Sequence, residues 1–280
     1  MTASQISLEP MTPDHLDGAV MLSRQAGWPH RREDWELVLA LSRGVAALED
    51  GRVVGTALMT PFGDTTATVN MIIVDESMRG RGLGRKLMNA VLESAGDRDC
   101  LLVATKDGLP LYEKLGFVAT GEIVQHQGET AAVAAPAHVS PAEPGDLARI
   151  AELDRAAIGH DRGALIGRLA GRAEFAVIRD GGAVAAFAAL RPFGRGLVIG
   201  PVVARNDAEA RALIDFFLAA NPGAFVRVDT NVSTGLAGWL TERGLKHVGG
   251  GIVMQRIGGK QPPRTSGPHR IYALANQALG

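Results

Sequence analysis

The sequence predicts an α/β chain built from two similar halves. Three observations carry this: a strand, glycine loop and helix at residues 69–92, a length of 280 residues that exceeds one ordinary domain, and a second half that repeats the first. Within residues 69–92, Met71 to Val74 is an apolar run that suits water on neither side, so it reads as a central strand. From Leu83 the apolar positions take helical spacing at Leu87, Ala90 and Val91, with Met88 and Leu92 widening the stripe. Gly80, Gly82 and Gly84 let the backbone approach a ligand, and the first N–H groups and positive dipole end of the helix then face an anion. Arg79, Arg81 and Arg85 add charge to the same rim, so a pyrophosphate suits this cradle.

The stretch from Ala131 to Asp146 is rich in Ala and Pro and reads as a connection. Beyond it the order repeats. Gly51 to Leu58 is echoed by Gly181 to Ala188, Asn70 to Asp75 by Val198 to Val203, and Leu101 to Phe117 by Val226 to Leu245. The copies differ at the loop, where the second half has no glycines after Val203 and places Asp207 and Glu209 at its helix start. Carboxylates there cap a helix but repel a pyrophosphate. Leu240 stands where the first half has Tyr112.

Composition excludes several classes of function. A net charge of −1 gives no electrostatic case for nucleic acid or an anionic membrane surface, and no apolar stretch is long enough to span a bilayer. The single cysteine, Cys100, lies in an apolar run and reads as core; it excludes an intramolecular disulfide framework and suits a reducing, cytoplasmic setting. The histidines show no metal-ligand spacing, so no metal is expected.

Spacing separates the loop from other phosphate cradles. Arg85 stands where a dinucleotide fingerprint needs its third glycine, and no P-loop motif is present. The pattern is R-x-x-G-x-G from Arg79 to Gly84, followed downstream by Leu111-Tyr112-Glu113-Lys114-Leu115-Gly116-Phe117. Together these resemble the GNAT superfamily of N-acyltransferases, and the second half resembles the degenerate C-terminal half of tandem GNAT proteins. The resemblance implies an α/β (α+β) chain of two GNAT-like domains, each a mixed, mostly antiparallel twisted sheet flanked by helices. Residues 1–130 would form the catalytic domain and residues 138–280 the degenerate one, which would complete or cover the substrate pocket or act in stability or dimerisation.

In the first domain two neighbouring strands, Thr68 to Val74 and Leu101 to Thr105, would splay to admit the pantetheine arm of acetyl-CoA. The resemblance assigns cofactor contacts to Ile72, Ile73, Val74, Arg79, Gly80, Arg81, Gly82, Leu83, Gly84, Arg85 and Thr105. Tyr112 would donate to the departing thiolate. The implied activity is direct transfer of acetyl to a primary amine of a small molecule by a monomer or homodimer. A silent acyl-CoA-binding regulatory module and a protein lysine acetyltransferase are the alternatives. Glu76, His30 and Asp34 are candidates for the general base, with water as a further one. Trp28, Asp34 and Trp35 lie in the segment that the family folds over the acceptor, although both tryptophans also suit a core. The tail after Arg256 reads as frayed, or else as docked through its apolar Ile271-Tyr272-Ala273-Leu274; in the docked case Tyr272 is a candidate acceptor contact.

Overall fold

The computed structural model describes residues 6–259 and 267–280. The first half runs β1 (Ile6–Pro10), α1 (Leu16–Gln25), α2 (Arg32–Leu39), β2 (Arg43–Glu49), β3 (Arg52–Phe62), β4 (Thr66–Val74), α3 (Leu83–Ala95), β5 (Asp99–Ala104), α4 (Leu109–Lys114) and β6 (Val118–Glu129). The second repeats that order as β7 (Val139–Pro141), α5 (Leu147–Ile158), α6 (Gly163–Ala170), β8 (Glu174–Asp180), β9 (Ala183–Phe193), β10 (Gly196–Ala204), α7 (Asp207–Ala220), β11 (Phe225–Asn231), α8 (Ala237–Glu242) and β12 (Lys246–Arg256). One further strand, β13 (Arg270–Ala273), follows.

Local sequence explains the matching hairpins. β2 turns into β3 through Asp50 and Gly51, and β8 into β9 through Gly181 and Gly182, all four with positive φ. Two consecutive residues of that kind match the right-handed twist of paired strands.

The thirteen strands among the described residues join into one sheet, ordered β1-β2-β3-β4-β5-β12-β6-β11-β10-β9-β8-β7, with β13 beside β10. Each half lends its last strand to the other. β12 pairs antiparallel with β5 from Ile252 opposite Ala104 to Arg256 opposite Cys100, and β6 pairs with β11 from Ile123 opposite Asn231 to Glu129 opposite Phe225. Neither half therefore closes its sheet with its own strands. Nothing in the apolar pattern of β6 or β12 signals this exchange, because a strand buries the same face whichever neighbour it has.

Three clusters make the core. One packs α3 and α4 of the first half on the sheet through Leu83, Leu87, Met88, Val91 and Phe117. Its counterpart packs α7 and α8 of the second half through Leu213, Phe217, Trp239 and Leu240. The third is shared: Leu22, Trp35 and Val38 meet Ile150, Leu153, Leu165, Phe187 and Leu279. Burying that apolar surface fixes the halves against each other and sets one wall of the cavity between them.

Candidate active site

β4 and β5 begin as parallel neighbours, paired only at Thr66–Asp99, Ala67–Cys100 and Thr68–Leu101, and then part. Beyond Thr68 the edge of β4 is left open toward a V-shaped gap. Within this stretch Met71 has φ of 52°, a left-handed conformation costly for a side chain of its kind. The register with β3 slips there, and Thr56 Oγ1 donates to Met71 O at 2.8 Å, holding the bulge.

The glycine loop sits at the mouth of the V. Gly80 and Gly82 both have φ of 75°, and Gly82 is the left-handed cap of α3. Lys86 N donates to Gly82 O at 3.2 Å, so the N–H groups of Leu83, Gly84 and Arg85 precede that bond and point out of the helix end. Asp75 anchors the loop. It accepts from Ser77 Oγ at 2.6 Å, Ser77 N at 2.9 Å and Arg52 Nη1 at 2.6 Å, and the Ser77 bonds and then Arg52 hold its carboxyl down to about 2. Arg79 and Arg81 are about half exposed and meet carboxylates only at long range, 3.8 Å to Glu76 and 3.7 Å to Glu49, while Arg81 Nη1 donates to Met78 Sδ at 2.7 Å.

Across the V, α4 carries Tyr112, whose ring packs edge-on to Phe117 at 6.2 Å. Tyr112 is 7% exposed, and burial pushes its hydroxyl up to about 12, so it is a neutral donor at every physiological pH. Gly108 lies beneath the ring: a Cβ there would stand 2.7 Å from Cε2 and 3.2 Å from the hydroxyl.

Tyr112 borders a cavity of about 230 Å³ that also touches Ile72, Val103 and Thr105 of the V. The cavity is also lined by Trp28, His30 and Asp34 of the first half and by Phe193, Arg227, Asn276, Gln277 and Ala278 of the second. His30 lies edge-on to Trp28, Trp35 and Phe193 at 5.7, 6.4 and 5.7 Å. Burial, helped by the Arg227 charge, pushes its imidazole down to about 4, so it is neutral near pH 7. Asp34 accepts from Arg31 Nη2 at 2.9 Å and Nε at 3.1 Å and from Gly194 N at 3.0 Å. Although burial opposes ionisation, these hydrogen bonds outweigh it and hold the carboxyl below its usual range.

Several readings from sequence need correction. Trp35 is fully buried, its Nε1 donating to Ser23 Oγ at 3.0 Å, and it is core rather than a cavity contact. Glu76 pairs with Arg79 at 3.8 Å and is not among the residues that line the cavity. Tyr272 is 2% exposed in the second half's core and donates to Asp207 at 2.9 Å, so it does not reach the acceptor side. The tail is docked rather than frayed, and it is Asn276, Gln277 and Ala278 that reach the cavity. The part of the tail at residues 260–266 lies outside the described residues.

Sequence reasoning missed Asn70, Gln125, Phe193, Arg227 and those three tail residues. Only Asn70 carried a signal, as a polar side chain in an apolar strand. Its Nδ2 donates to Thr60 Oγ1 at 2.9 Å, Thr68 Oγ1 at 3.2 Å and Ala278 O at 3.0 Å, while the buried Oδ1 has no partner.

Family models agree with this architecture. The acetyltransferase (GNAT) family model matches residues 11–117, and the acetyltransferase (GNAT) domain model matches residues 150–273. The chain belongs to the GNAT acetyltransferases. It is a tandem GNAT protein, an N-acetyltransferase with a mixed, mostly antiparallel sheet flanked by helices. It is 29% identical over 278 residues to the uncharacterized N-acetyltransferase YitH of Bacillus subtilis (strain 168), covering 95% of this chain and 96% of that one. Among solved structures, one from Pyrococcus horikoshii whose acetyltransferase assignment is itself inferred superposes with a TM-score of 0.82 at 19% identity, over 100% of this chain and 98% of the other. A tandem GNAT protein from the clavulanic acid biosynthesis pathway gives 0.62 at 17% identity, over 92% and 100%. At these identities both likenesses are of fold.

The tandem GNAT chain has no group of three or more His, Cys, Asp or Glu placed to hold a metal among its described residues, and no described helix is long and apolar enough to cross a membrane.

Proposed function

We propose that the first half transfers an acetyl group from acetyl-CoA to a primary amine of a small molecule. One observation carries this reading: β4 and β5 part into a V, with the glycine-loop helix packed by Gly84 against Val74 and Leu111 and with Tyr112, Ile72, Val103 and Thr105 lining one cavity. The free edge of β4 can pair with the pantetheine amides as a strand would. The outward N–H groups at the start of α3 suit the pyrophosphate. Acetyl-CoA, when bound, supplies the activated thioester. A cavity of about 230 Å³ walled by both halves favours a small acceptor over a protein chain.

Tyr112 serves this reaction as a hydrogen-bond donor to the departing sulfur. With its hydroxyl near 12, full proton transfer to a thiolate of ordinary pKa ~8.5 is uphill by roughly 5 kcal/mol, whereas a strong hydrogen bond needs no transfer. Around neutral pH Asp34 stays ionised while His30 and Tyr112 stay neutral, so none of them titrates as a base poised near 7. The amine must then lose its proton to water, and its neutral fraction grows as pH rises. Log kcat/KM should therefore climb with unit slope until it levels at the pKa of the amine used. A plateau set near pH 7 for amines of different basicity would overturn this assignment.

The reading as a whole is tested by calorimetric titration with acetyl-CoA, followed by CoA-thiol release over a panel of amines. One site per chain supports it, and two sites would show that the second half binds as well. Folded protein that takes up no acetyl-CoA would remove its basis.

A further inference from the structure

Charge in the cavity wall bears on the acceptor, granted the acyl transfer above. Two carboxylates stand nearby, and both are committed. Asp34 is held by Arg31 and by Gly194 N, with Arg191 Nη1 a further 3.7 Å away. Asp229 is fully buried and accepts from Arg227 Nε at 2.8 Å, Arg227 Nη2 at 3.1 Å and Gln277 Nε2 at 3.1 Å. Arg31, Arg191 and Arg227 thus share two carboxylates, and the local balance is positive.

Arg227 is the member of this set that faces the cavity as a cation ready for a ligand. Its side chain is 11% exposed and lines the same cavity as Tyr112. Asp229 takes two of its nitrogens and Phe193 lies under it, with the ring centroid 5.1 Å from Cζ, so the guanidinium is fixed in one orientation. Nη1 carries no hydrogen bond to the protein among the described residues. On the other side, Arg191 lies 4.9 Å from the same ring, adding positive field. The remaining polar groups of this wall, Gln125, Asn276 and Gln277, are neutral, and buried His30 is neutral as well.

We propose that the acceptor is a small amine bearing an anionic group, and that Arg227 receives that group. A planar, pre-oriented guanidinium suits a carboxylate or a phosphate. A polyamine would instead bring a second ammonium into a cavity whose carboxylates are already paired, without a counterion to offset its desolvation.

The experiment uses matched probes on the full chain with saturating acetyl-CoA: β-alanine against propylamine for a carboxylate, glucosamine 6-phosphate against glucosamine for a phosphate, and spermidine as polycation. Binding is read by calorimetry and turnover by CoA-thiol release. In at least one pair the anionic member should exceed its neutral partner about 10-fold or more in affinity or kcat/KM, as one charge-assisted contact provides. Which pair responds identifies the anion. Arg227→Gln should abolish the preference by raising KM or Kd for the anionic member about 10-fold more than for the neutral one. Because that variant strands Asp229 as a lone buried charge, Arg227→Gln/Asp229→Asn is made in parallel and should lose the preference too. Preference for a neutral probe or spermidine, no response to either anionic probe at 10 mM, or a preference that survives in a folded variant would overturn the proposal. Acetyl-CoA binding in the same cell separates these outcomes from failure of the acyltransferase reading itself.

Discussion

The two halves share a fold and differ in what lies between their diverging strands. In the first half, β4 and β5 separate beyond Thr68 and leave a V open to a ligand. In the second, β10 and β11 pair only at Leu197–Val226 and Val198–Arg227, and the chain's own β13 pairs with β10 at Val202 to Ala204. Leu274 N completes the fit by donating to Asp229 O of β11 at 2.9 Å. A strand of this protein thus lies where the pantetheine arm would add in the first half. The loops diverge in step: the first presents left-handed glycines, whereas in the second Arg205 pairs with Asp180 at 2.7 Å and with Glu209 at 2.5 Å, and Asn206 caps α7. The difference teaches that a splayed sheet is a demand for a third strand, which a ligand or a tail can meet.

The largest effect should come from Gly82→Asp, which sets a carboxylate at the cap of α3 on a backbone with φ of 75° and makes the first loop resemble the second. Acetyl-CoA affinity should fall by ~100-fold or more through strain and charge repulsion together. Unchanged affinity in calorimetry would break the comparison. Next is Tyr112→Phe, expected to lower kcat ~10- to 100-fold with acetyl-CoA affinity preserved; an equal loss in both would recast Tyr112 as packing.

Gly108→Ala should lower kcat several-fold, on the order of 1 kcal/mol, because its Cβ would displace the Tyr112 ring. Gly238→Ala on α8 meets nothing within 4 Å and should leave kcat untouched, which supplies the control from the other half. The smallest effect belongs to Tyr272→Phe. It deletes the bond to Asp207 and should cost roughly 1 kcal/mol of unfolding free energy in denaturant titration with no change in KM for the acceptor. A shift in that KM would return Tyr272 to the acceptor site.

What was legible in the sequence follows from the range of the physics involved. The strand, loop and helix around Gly82 and the LYEKLGF helix are local, written in periodicity and glycine placement, and the structure sets Gly84 at the start of α3 against Val74 of β4 and Leu111 of α4. The duplication was also legible, because each copy repeats the same local signals. The acceptor wall was not. Arg227, Phe193 and Asn276 to Ala278 reach it through strand exchange and tail docking, which depend on pairings roughly 100 or more residues apart in sequence. Trp28 and Trp35 show the limit on a small scale: seven residues apart, one lines the cavity and one fills the core, and composition alone does not separate them.

The exchange of β6 and β12 also has a consequence for synthesis. β5 has no partner on its far side until residues 246–256 have left the ribosome, so the half that is made first waits, with an exposed sheet edge, for the half that is made last. A nascent chain cut short in its second half before residue 246 would hold the glycine loop and Tyr112 yet lack the strand that backs them. The second copy thereby earns its place as a template for the first, a duty that loss of its own glycine loop leaves intact.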